Sequence, residues 1–189
     1  MVHRAMMTVC RAMALVGGLV LIALITLVCV SILGRALNGL LHSMGDFALA
    51  QTLLDLGIGP VTGDFELVEA GMAFAIFSFL PLCQITGAHA SVDIFTSKLP
   101  PWGLRVLKAA IEVLFATVLV IIAMQLYEGT QSKMRSGQTT FLLQFPIWWA
   151  YVASLFAASL AALVACYMVV LRFWAVLTAD ESLLETDVQ

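Results

Sequence analysis

Four long apolar runs, nearly bare of charge, leave this chain few ways to fold; they cover about residues 12–33, 67–86, 106–127 and 146–171. A hydrocarbon layer about 30 Å thick is crossed by about 20 helical residues at 1.5 Å each, so every run is long enough to span a bilayer. None shows the period-two alternation of a membrane strand. The expected fold is all-α: a polytopic membrane protein of four transmembrane helices forming a single membrane domain, with short amphipathic helices at the interfaces. The 189 residues are 62% hydrophobic and only 11% charged, and a water-soluble fold cannot cover so much apolar surface. A net charge of −3 without a basic patch speaks against a nucleic-acid partner.

The first run follows a basic start, as secretory signals do. Its apolar stretch exceeds the roughly 7–15 residues of a signal core and no small-residue cleavage site follows, so a retained helix is expected. Lys and Arg tend to remain on the cytoplasmic side. With the N-terminus inside, Arg4, Arg11, Lys98, Arg105, Lys108 and Arg172 lie on that side and Arg35, Lys133 and Arg135 on the other, which predicts both termini cytoplasmic. Tyr127, Trp148 and Trp149 then mark the outer interface, Trp102 and Trp174 the inner one. Residues 173–189 form an acidic cytoplasmic tail.

The connections carry signals of their own. Ser43 as an N-cap, the stripe Leu49, Leu53 and Leu56, and a stop at Gly57 predict a surface helix over about 44–56. After the second run, "SVDIFTSKLPPW" predicts an amphipathic turn on the inner surface, ended by Pro100 and Pro101.

Polar residues inside the runs are few. Thr26, Ser78 and Gln125 are expected to bond to backbone or neighbouring helices. Pro81 removes one N–H from the second helix and crowds the carbonyl of Phe77. Glu112 lies one turn beyond Lys108 and is expected to pair with it or reach the interface. His89 and Asp93 are four apart, but one imidazole and one carboxylate are too few ligands for a metal, and they are assigned to the turn where the second helix surfaces. Arg35 closes the first run while Glu66 and Glu69 open the second, an arrangement suited to an ion pair between neighbouring helices. Cys10, Cys29, Cys83 and Cys166 have no paired spacing and are read as apolar packing residues. No cofactor or metal is expected. In the fourth run Ser154, Ala158 and Ala162 repeat every four residues, as do Ala157, Ala161 and Ala165, which permits close helix approach in lipid.

The first span ending "VSILGRALNG", the acidic entry to the second, its exit "GAHASVD", and "SGQTTFLLQFPIWWAYVASLFAASLAAL", in which Pro146 and Trp148 open the last helix, together resemble the small four-helix membrane subunit (DctQ type) of tripartite ATP-independent periplasmic (TRAP) transporters. The resemblance implies a bacterial inner-membrane scaffold subunit, not an enzyme. Its implied partners are a large multi-span membrane subunit, which carries the solute and coupling-ion sites, and a periplasmic substrate-binding protein that delivers an organic acid. Under this reading Arg35, Glu66 and Glu69 organise the outer end, His89 and Asp93 the inner turn, and the small-residue face of Ser154, Ala158 and Ala162 meets the large subunit. The alternative is a four-helix anchor of a haem or quinone oxidoreductase. Bis-histidine haem needs two imidazoles at similar depth, whereas His42 and His89 fall on opposite sides of the bilayer.

Overall fold

The computed structural model describes residues 2–43, 59–88 and 100–178. Four helices make up nearly all of it: α1 (Val2–Ser43), α2 (Asp64–Thr86), α3 (Pro101–Ser136) and α4 (Trp148–Thr178). Each is long and apolar enough to cross a membrane. Among the described residues the only β-type pairing is an isolated bridge between Thr139 and Pro146. The surface helix expected over 44–56 lies outside the described residues, as do His89, Asp93 and 179–189 of the acidic tail.

The helices run past the apolar stretches. At 42 residues α1 is about 63 Å long and at 36 residues α3 is about 54 Å, both well beyond a hydrocarbon layer of about 30 Å. Hydropathy marks what lipid covers, whereas helix continues wherever backbone bonds and capping allow. Pro101 starts α3 at a position where its missing N–H costs nothing. Lys133 and Arg135 in the last turn of α3 oppose the helix dipole before Gly137 ends it in the left-handed region. Helix α2 continues through the buried Pro81 and stops at Gly87, φ 61°. There the Ala88 N–H donates to the Cys83 carbonyl at 3.0 Å and the Gly87 N–H to that of Gln84 at 3.4 Å. Glycine reaches that φ without the Cβ clash other residues meet.

The packing order is α1–α2–α4–α3, with no comparable contact between α1 and α3. Helix α4 lies at the centre. Ser154, Ala157, Ala158, Ala161, Ala162 and Ala165 are all buried, with Ala116 and Leu119 of α3 and Leu80 of α2 packed on the alanine rows. The small-residue stripe is thus filled from within the chain, and its close approach serves α2 and α3. In lipid this contact is driven by van der Waals fit, since tails are as apolar as the side chains they would replace. A second cluster joins Met7 and Cys10 of α1 to Ile85 of α2 and to Val164 and Met168 of α4. Outward faces are apolar: Leu15, Leu19, Ile22 and Ile25 on α1, and Leu114, Val118, Ile121 and Met124 on α3, are exposed.

Candidate functional site

Polar chemistry is confined to the two ends of the bundle. In the middle, three hydroxyls return to their own helices: Thr26 donates to the Ile22 carbonyl at 2.8 Å, Ser78 to that of Phe74 at 2.7 Å and Thr117 to that of Val113 at 2.8 Å. Each bond satisfies a donor that lipid could not. Among the described residues no group of three or more His, Cys, Asp or Glu side chains is placed to hold a metal ion.

At the end away from the termini, Asp64 joins α1 to α2. The buried Ser31 hydroxyl donates to its Oδ2 at 2.5 Å, and Arg35 reaches the same oxygen at 3.2 Å. The ion pair expected between Arg35 and Glu66 or Glu69 is therefore made with Asp64. Successive helical residues turn by about 100°, so Asp64 faces α1 while Glu66 points to another side. Glu66 is 5% exposed and turns to the loop before α4, where its carboxylate accepts the backbone N–H groups of Leu142 at 2.7 Å and Leu143 at 3.0 Å. Glu69 is exposed and lines a cavity of about 310 Å³ under that loop, among Ala70, Ala73, Leu126, Tyr151 and Ser154. Trp148 opens α4 half-buried, edge-on to Trp149 with ring centres 6.0 Å apart.

At the end bearing the termini, three helices each contribute one polar side chain. Gln84 of α2 donates to Glu112 of α3, whose other oxygen lies 3.7 Å from Arg172 Nε of α4. The expected partner, Lys108, is displaced by a residue far along the chain. His3 and Tyr167 also meet here, with Nδ1 and the hydroxyl 3.4 Å apart. The described histidines, His3 and His42, stand at opposite ends of α1, which does not favour haem between them.

Of the residues singled out from sequence, Arg35, Glu66, Glu69 and Trp148 fall at one end, and Ser154, Ala158 and Ala162 line the α4 contacts. Asp64, Gln84 and Arg172 were missed as partners. A faint signal existed for the second cluster: Gln84, Glu112 and Arg172 each lie near the same end of a separate run.

Four bilayer-crossing helices with uncharged middles and charged ends define an integral membrane subunit of the all-helical class. The sequence matches the DctQ component of tripartite ATP-independent periplasmic transporters over residues 24–175, and the chain belongs to that family. It is the small permease subunit of a TRAP-type transporter, a multi-pass protein of the bacterial inner membrane. The family's transporters also contain DctM and DctP components. No curated protein and no solved structure matches the chain.

Proposed function

We propose that this subunit is a static scaffold for a larger membrane subunit that moves an organic acid, driven by an ion gradient, after delivery by a periplasmic binding protein. The observation that carries this reading is the distribution of polar groups. Solute-moving membrane proteins place ionisable side chains or broken helices near the midplane, whereas here Thr26, Ser78 and Thr117 bond to their own backbones and the charged clusters sit at the ends. The exposed apolar faces of α1 and α3 are the surfaces offered to lipid and to a large partner. Arg35, Glu66 and Glu69 shape one end.

Co-purification in mild detergent and reconstitution test this. The chain should isolate with a large multi-span subunit, and vesicles should take up an organic acid along an imposed ion gradient only when that subunit and the binding protein are present. Uptake by vesicles containing this chain alone overturns the proposal.

A further inference from the structure

Between α3 and α4 the chain folds back on itself in a loop, 138–147, that has no charged residue; none occurs between Arg135 and Arg172. Its backbone is closed by its own bonds. The Thr140 N–H donates to the Phe145 carbonyl at 3.0 Å, the Ile147 N–H to Gln138 at 3.1 Å, and the Phe145 N–H to Thr140 Oγ1 at 3.3 Å. The tip has no such partner within the loop, and there Glu66 supplies both carboxylate oxygens to Leu142 and Leu143. The Leu143 side chain lies against Gly63, just before α2, which fixes the tip at the level of the first turn of that helix.

That level is informative. The middle of α2 is Ala75, and Glu66 lies nine residues before it, about 13 Å along the axis, while half a hydrocarbon layer is about 15 Å. With Ala75 taken as the midplane the tip stands at the edge of the hydrocarbon, and it is greasy: Phe141 is 88% exposed, and Leu142 and Leu143 are exposed as well. The chain then enters α4 with Trp149, Val152 and Phe156 exposed, an aromatic and aliphatic surface of the kind found where helices meet headgroups. Backbone N–H groups at this depth must be paired.

We propose that the tip of the 138–147 loop is a lipid anchor, with Phe141 and Leu142 entering the leaflet at the end away from the termini. Glu66 is its positioning residue, occupying the two N–H groups that hydrocarbon would leave unpaired. Lipid fits better than a polar protein surface because nothing in the loop offers a charge for such a surface to pair with.

A spin label at Phe141→Cys tests the anchor, in a chain whose Cys10, Cys29, Cys83 and Cys166 are replaced by alanine, reconstituted into phosphatidylethanolamine–phosphatidylglycerol vesicles. The label should collide several-fold more with oxygen than with a water-soluble nickel chelate, and a label at Arg135→Cys should show the reverse. Adding Glu66→Ala should move the label at 141 towards the nickel-accessible profile. A nickel-accessible label with Glu66 intact places the tip in water and overturns the anchor, and a label shielded from both reagents overturns it in favour of a protein contact. An unchanged profile in the Glu66→Ala chain removes the role given to Glu66. If that variant does not fold, the label with Glu66 intact still decides the anchor. Each result is independent of whether the chain co-purifies with a large subunit.

Discussion

A Cβ placed on Gly17 would lie 2.6 Å from the Cβ of Ser78, so α1 and α2 touch at a point where one helix has no side chain to spare. Gly17→Ala should push the two helices apart and cost about 1–3 kcal/mol as overpacking does elsewhere. Gly18, the next residue, meets nothing within 4 Å, and Gly18→Ala should be neutral or gain up to about 1 kcal/mol of helix propensity. Thermal melting in detergent separates the two. Equal stabilisation by both substitutions would refute the close crossing.

Ala161 on α4 has no exposed surface. Enlarging it should strain the contacts that α2 and α3 make there, so Ala161→Leu is expected to destabilise by about 1–3 kcal/mol. Leu163 faces outward at 54% exposure, and Leu163→Ala should change the melting midpoint little, because lipid replaces the lost contacts.

Glu112→Ala should strand the Arg172 guanidinium. A fully buried pair broken on one side costs about 3–5 kcal/mol, and the loss here should be smaller because the Arg172 side chain keeps 22% exposure. Replacing both residues, Glu112→Leu with Arg172→Met, should recover most of the stability in the same melting assay. A double variant as unstable as the single one would show that the pair matters through something other than charge.

Gly87→Ala meets no neighbour, so its effect isolates the backbone at φ 61°. A cost of about 1–2 kcal/mol is expected from the left-handed conformation alone, with Gly87→Asn milder because its side chain bonds locally. Melting midpoints of the two variants provide the check.

The four spans were legible because lipid imposes a length of apolar chain, and any sequence that meets it is conspicuous. Helix ends were less so: α1 starts before Arg4 and continues past Arg35 because charges in water do not interrupt a helix. The alanine rows of α4 announced a packing face but not its occupant, since close approach looks the same towards α3 or a foreign helix. Arg35 had three acids within reach along the chain, and only the rotation of α2 selects Asp64. For Glu112 the sequence displays only the near neighbour Lys108 and the nearby interface. Its partner Arg172 enters from another helix, just as Glu66 finds N–H groups 76 and 77 positions away.

The order α1–α2–α4–α3 has a consequence for permeation. Among the described residues the outermost helices, α1 and α3, share no contact comparable to the other three, so the helices do not close into a ring. On the scaffold reading, a hydrated solute crossing beside this chain would find wall on one side only, and the opposite wall would be built by other protein.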